Sequence, residues 1–171
     1  MAYFSDSELR SMGFKFLGKN VRVSTKASIY DHGCISINDN SRIDDFCVIS
    51  GNVDIGKYCH ITPSCLVAGG EPGITLQDFS TLAYGVKVFS QSDDYSGETM
   101  VNSLIPKKFK NEIFGSVFIG KHVIIGASSV IFPGVIVSEG CSIGAMTLIN
   151  KSTDPWGIYV GNPARKVKNR K

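Results

Sequence analysis

The sequence predicts an all-β chain, a parallel β-helix of about five coils, and two observations carry that prediction. An aliphatic residue returns at every sixth position through Ile119, Ile125, Ile131, Val137, Ile143 and Ile149, and the fourth residue after each is small or β-branched: Val123, Ser129, Val135, Cys141, Thr147 and Thr153. The same phase runs upstream through Ile37, Ile43, Ile49, Ile55, Ile61 and Val67, then restarts after an insertion at Leu76, Leu82 and Val88. A step of six is not a helix period and is three times the strand period, so it reads as short strand, turn, short strand. No single repeat buries its apolar face until a neighbour stacks on it, which is the logic of a solenoid. All fifteen phased positions are apolar in a chain that is 43% hydrophobic, a pattern chance produces about three times in a million.

The elements follow in order. Ser5-Asp6-Ser7-Glu8 forms a capping-box pattern that opens one short helix ending near Gly13, placed to cover the open end of the column. Val21 to Ile35 reads as a looser lead-in, because Val23 and Ile29 keep the beat before Asp31-His32-Gly33 breaks it. Coils of about eighteen residues with three faces then stack at roughly 4.8 Å, for a prism near 25 Å tall. Ala68 to Ile74 is a turn-rich insertion around Gly69, Gly70 and Gly73, either a surface loop or a place where backbone approaches a ligand. Ser90 to Ser116 is the largest break; a long loop on a rigid solenoid is usually functional or disordered, and its aromatic and proline content favours order. After Thr153 the chain turns out at Asp154-Pro155-Trp156-Gly157 and again at Gly161-Asn162-Pro163-Ala164, and Val167 begins a short closing segment. The chain is thus one domain: an N-terminal cap over 1–20, a β-helix over 21–153 carrying the loop 90–116, and a C-terminal cap over 154–171.

Composition narrows the function classes. A net charge of +3 with 19% charged residues is not a nucleic-acid-binding balance. The basic excess is local, at Lys107, Lys108 and Lys110 and then at Arg165, Lys166, Lys168, Arg170 and Lys171; it is either a solvated surface or a seat for an anionic ligand. Four of the five cysteines, Cys47, Cys59, Cys65 and Cys141, fall on the small inward position of the repeat, as core residues of a reduced, cytoplasmic protein. No C-x-x-C or paired-histidine spacing suggests a metal. The N-terminus has no apolar signal region, and no run approaches the ~20 apolar residues of a membrane span.

With those residues in view, the Ile-Gly-x-x-[Val/Ser] repeats and the ending Tyr159-Val160-Gly161-Asn162-Pro163-Ala164-Arg165-Lys166-Val167-Lys168 resemble the hexapeptide-repeat acyltransferases, over nearly the whole chain. The Ser5-Asp6-Ser7-Glu8 start, the Ser92-Asp93-Asp94-Tyr95-Ser96-Gly97 stretch and Pro155-Trp156-Gly157-Ile158-Tyr159 look most like the sugar-nucleotide N-acetyltransferases of surface polysaccharide synthesis that act on dTDP-4-amino-4,6-dideoxy-D-glucose. The resemblance implies a left-handed β-helix, against the general right-handed crossover rule. It also implies a homotrimer with active sites between subunits, acetyl-CoA as co-substrate and a nucleotide-sugar acceptor.

By the same resemblance the pantetheine arm lies along a prism edge at Ala127 and Ala145, Asn150 and Lys151 lie near the nucleotide end, and Arg165 and Lys168 neutralise the CoA phosphates. Those alanines also simply fit a tight turn, and the basic tail also reads as solvated. Maltose and galactoside acetyltransferases carry a catalytic histidine where this chain has Asp93, followed by Asp94, and His32, His60 and His122 do not fit that place. A sugar hydroxyl needs a good general base, usually histidine, whereas a deprotonated amine needs only an acceptor for its proton. Aspartate at this position therefore favours N-acetylation, with Asp93 or Asp94 orienting the amine, or both serving as loop residues. Tyr84 and Tyr95 are candidates to contact sugar or base, and Lys107, Lys108 and Lys110 either meet a diphosphate or stay solvated. The competing readings are a saccharide O-acetyltransferase using His60 or His122, and a non-catalytic scaffold.

Overall fold

The architecture is taken from a computed structural model that describes residues 2–171. The first coil holds β1 (Phe16–Leu17), β2 (Arg22–Val23) and β3 (Ser28–Ile29), the second β4 (Ile35–Ile37), β5 (Arg42–Ile43) and β6 (Val48–Ser50). The third holds β7 (Val53–Ile55), β8 (His60–Ile61) and β9 (Leu66–Ala68), the fourth β10 (Ile74–Leu76), β11 (Thr81–Leu82) and β12 (Lys87–Phe89). A loop follows with its own hairpin, β13 (Gln91–Ser92) and β14 (Ile113–Phe114). The fifth coil is β15 (Val117–Ile119), β16 (Ile124–Ile125) and β17 (Val130–Ile131), the sixth β18 (Ile136–Val137), β19 (Ser142–Ile143) and β20 (Leu148–Ile149). A seventh begins with β21 (Gly157–Val160), against which β22 (Arg165–Asn169) folds back antiparallel.

Equivalent strands pair in parallel to make three faces. The first runs β1-β4-β7-β10-β15-β18, the second β2-β5-β8-β11-β16-β19-β21-β22, and the third β3-β6-β9-β12-β17-β20. This is a parallel β-solenoid, consistent with the left-handed β-helix that the resemblance implies. The expected count of about five coils is corrected to six complete coils and a partial seventh, so the column is roughly 30 Å tall. The extra coil is Phe16 to Ile29, which sequence reading divides between the N-terminal cap over 1–20 and a loose lead-in from Val21 but which pairs in register with the next coil at Phe16–Ser36, Arg22–Arg42 and Ser28–Val48.

The phased aliphatics are the core. Ile37, Ile61, Leu82, Ile119, Ile125 and Ile149 are among those that are fully buried, and the small fourth residues, Cys47 and Ser129 included, fill the corners between them. Each buried Ile or Leu contributes on the order of 1.5–3 kcal/mol. The cysteine thiols donate to carbonyls of neighbouring coils, as Cys47 to Thr62 and Cys65 to Ala83. Burial pushes the Cys59 thiol up, and only Cys34 is exposed.

The top is closed by α1 (Asp6–Ser11), capped reciprocally by Ser5 and Glu8, whose Leu9 enters the core. The corners between the first and second faces carry Tyr58, Phe79, His122 and Trp156 in left-handed backbone conformation. Tyr58 stacks on Phe79 at 5.5 Å, Phe79 on His122 at 5.1 Å and His122 on Trp156 at 6.5 Å. Ring stacking offsets a backbone conformation that costs a non-glycine residue on the order of 1 kcal/mol. Gly140 interrupts the ladder because a Cβ there would run into the Trp156 ring; the missing side chain lets Trp156 lean across one coil. In the 68–74 insertion, Gly69 is likewise pressed against the Asn52 carbonyl, so that glycine serves coil-to-coil packing.

Candidate active site

The loop springs from the corner between the third and first faces. Ser90 is anchored to Ala68 and Gly69 by its hydroxyl, and Gly115 bonds back to Ser90 at 2.9 Å, so the loop leaves and re-enters through one tight neck. Immediately outside it, the β13–β14 hairpin carries Asp93 to the mouth of a cleft of about 260 Å³ lined by Phe89, Gln91, Ser92, Asp93, Tyr95, Phe132 and Pro133. Its lining combines the rings of Phe89, Tyr95 and Phe132 with one carboxylate, Asp93, an arrangement that suits a cationic group beside an apolar surface.

Behind Asp93 the loop holds a polar chain. Lys110 Nζ lies 3.0 Å from Glu112 and 3.9 Å from Asp93, with only 5% of the lysine side chain exposed. Gln91 donates to Glu112 at 2.6 Å. The Lys110 ammonium holds the Glu112 carboxyl below the usual carboxylate range. Lys110 thus stands between Glu112 and Asp93, a placement that sequence reading, which gave it with Lys107 and Lys108 to a diphosphate or to solvent, does not foresee.

The two aspartates differ. Asp94 accepts from Ser96 N at 2.8 Å, Thr99 N at 3.2 Å and Thr99 Oγ1 at 2.7 Å. Those bonds, Ser96 first, pull its carboxyl down to about 2. Both Asp94 oxygens are occupied in holding the loop turn, while Asp93 keeps a 38% exposed side chain facing the cleft.

The remaining candidates fall into two columns. Asn150 sits one rung below Phe132, whose N–H bonds to Ile149 O at 3.0 Å, so Asn150 and Lys151 continue the corner on which Asp93 and Tyr95 stand. Tyr84, Ala127 and Ala145 instead stack along the corner between the second and third faces, through Ser128 N to Tyr84 O and Met146 N to Ala127 O, both 2.8 Å. There the N–H groups of Ala127 and Ala145 meet no acceptor among the described residues. At the base of the second face, Lys168 pairs with Ile158 and Arg165 with Val160, which puts both cations on the outer surface below that corner. Neither has a carboxylate within 4 Å among the described residues, whereas Lys166 is tied to Asp154 at 3.1 Å. The third face, roughly 16 Å of extended chain, separates the two columns within one protomer.

None of the histidines reaches the Asp93 cleft. His32 meets Phe14 edge-on at 5.0 Å, His122 lies within the aromatic ladder, and His60 bonds Asp44 at 2.7 Å on the second face. Among the described residues no group of three or more His, Cys, Asp or Glu side chains is placed to hold a metal ion.

No protein-family model matches the chain. The dTDP-4-amino-4,6-dideoxy-D-glucose acyltransferase of Escherichia coli is 41% identical to it over 174 residues, spanning 99% of this chain and 90% of its own. The crystal structure of AntD, an N-acyltransferase from Bacillus cereus in complex with dTDP and 3-hydroxybutyryl-CoA, superimposes with a TM-score of 0.98 at 48% identity, covering 100% of this chain and 92% of AntD. A serine-to-alanine variant of AntD with dTDP-4-amino-4,6-dideoxyglucose and coenzyme A gives a TM-score of 0.98 at 49% identity over 99% of this chain and 91% of that one. A parallel β-solenoid of this form and a relative this similar over nearly its full length lead to one conclusion: the chain belongs to the dTDP-4-amino-4,6-dideoxy-D-glucose acyltransferase family.

Proposed function

We propose that the protein transfers an acetyl group from acetyl-CoA to the free amine of a dTDP-linked deoxyamino sugar, in the cytoplasm and for surface polysaccharide synthesis. The observation that carries this reading is Asp93 at the rim of an aromatic cleft that no histidine approaches. A carboxylate there receives the sugar ammonium, orients it and accepts or relays its proton. The amine lone pair then attacks the thioester carbon, the C–N bond forms, the C–S bond breaks and the thiolate leaves with a proton. The unbonded N–H groups of Ala127 and Ala145 offer donors to the pantetheine amides, and Arg165 and Lys168 offer charge to the CoA phosphates.

Because the cofactor column and the Asp93 column lie on different corners of one prism, the reading further proposes a homotrimer. The corner bearing Ala127 and Ala145 of one protomer faces the corner bearing Asp93 of the next. Tyr95 lines the cleft and is the sugar contact; Tyr84, in the alanine column, meets the acyl donor side.

The test incubates the protein with acetyl-CoA and separately with 3-hydroxybutyryl-CoA, against a panel of dTDP-linked amino and hydroxy sugars, with mass detection of products. Acylation of amino sugars alone supports the reading. Asp93→Asn lowers kcat by about 10²–10⁴-fold, while His60→Ala and His122→Ala retain turnover at saturating substrate. Turnover on hydroxyl acceptors that survives Asp93→Asn and vanishes with one histidine would instead establish the O-acyl reading.

A further inference from the structure

The hairpin that carries Asp93 sets a problem of like charges. Its register runs Gln91 opposite Phe114 and Ser92 opposite Ile113. The next step, where the strands part, brings Asp93 and Glu112 to opposite sides. Carboxylates facing one another across a hairpin destabilise it, and the chain answers with a single cation. Lys110, two residues before Glu112, carries its ammonium back between them, 3.0 Å from Glu112 and 3.9 Å from Asp93.

The sharing is unequal. Glu112 takes the close ion pair, and Gln91 adds a 2.6 Å hydrogen bond to the same carboxylate oxygen. Both partners of that pair are largely shielded from solvent. At 3.9 Å the ammonium gives Asp93 a charge contact without a hydrogen bond. Asp94, next in the chain, has both oxygens engaged by Ser96 and Thr99; among the described residues the Asp93 carboxylate accepts no hydrogen bond.

Charge counting gives the consequence. On the far side of the hairpin, Glu71 and Lys107 join Lys110 and Glu112 around a second cleft of about 340 Å³, and those four charges cancel in number. Asp93 is the charge left over, and it lines the aromatic cleft. A lysine free to close on Asp93 would neutralise it and compete with an incoming ammonium. With no lysine, Asp93 would lose its fixed neighbour.

We infer that Glu112, braced by Gln91, withholds Lys110 from Asp93, so that a cation orients Asp93 while its negative charge stays open to the sugar ammonium. Lys110 and Glu112 are thus positioning residues for Asp93. The inference rests on the amine-acceptor reading above and adds how the loop keeps that acceptor unpaired.

The test is steady-state kinetics of the full-length protein with acetyl-CoA and dTDP-4-amino-4,6-dideoxyglucose, in a cycle of Glu112→Gln, Lys110→Met and the double variant. Glu112→Gln keeps the shape of the side chain but releases Lys110 onto Asp93. It raises the KM for the amino sugar about fivefold and leaves the KM for acetyl-CoA unchanged. Lys110→Met lowers kcat about tenfold. The double variant has neither clamp nor competitor, so it regains the wild-type KM for the sugar and keeps the lowered kcat, a split that a merely structural pair does not produce. An unchanged sugar KM in Glu112→Gln overturns the inference, as does an equal rise in the KM of both substrates. A wild type that turns over normally in either case leaves the acyltransferase reading standing. A wild type that acylates no amino sugar overturns that reading and the inference with it.

Discussion

The column and its loop are made by opposite means. In the column the residues at the six-step positions are buried to within 3% of complete, and each coil repeats the hydrogen bonds of the last. From Gln91 to Ser116 no apolar residue is buried, and order comes from a neck at Ser90 and Gly115, the Asp94 turn and the Lys110–Glu112 pair. Apolar stacking tolerates no aperiodic residue, so Asp93, the carboxylate proposed to receive the amine, stands where stacking stops. A rigid base holding a polar outgrowth places one charged group reproducibly without burying it.

Four measurements break or sharpen that contrast. Ile125→Ala opens a cavity in the middle of the fifth coil, and chemical denaturation should show a loss of about 2–5 kcal/mol with KM unchanged in the folded fraction. Gly140→Ala forces a side chain into the Trp156 ring at a backbone φ of +69°, and the same measurement should read a loss of about 1–3 kcal/mol. Lys110→Met should reverse the pattern, leaving the thermal midpoint close to wild type while kcat falls about tenfold; Lys110→Arg should restore part of it, which a purely structural role would not predict with unchanged midpoint.

The smallest effect concerns acid. The folded carboxyl of Asp94 is depressed to about 2 from the ordinary 3.8. Its contribution to loop order is therefore complete above about pH 4 and is lost as the pH falls through about 2. Amide exchange at Ser96 and Thr99 should follow that window in the wild type. In Asp94→Asn the protection should be lower at neutral pH and flat across the same range.

The column was legible because its determinant is local and repeats: a side chain every six residues needs no knowledge of what lies opposite. Leu17 followed by Gly18 carries the same signal as Ile119 followed by Gly120, yet the first coil reads only as a lead-in because the short 3₁₀ turn His32–Cys34 resets the phase after it. The helix cap was legible for the same reason, since Ser5 and Glu8 bond each other across one turn. The site was legible only in part. Asp93 stood out through a departure from a family pattern, but Lys110 reaches it across an aperiodic loop, and nothing in local spacing marks that contact.

The aromatic ladder also supplies a built-in optical gauge. Trp156 is the sole tryptophan of the chain and leans on His122 from the unfinished seventh coil, so tryptophan emission, excited at wavelengths that tyrosine does not absorb, comes from the lower terminus alone. Circular dichroism sums over every coil. In a molecule whose layers touch only their neighbours, a melting curve from emission that precedes the one from dichroism would reveal unravelling that starts at the bottom and climbs.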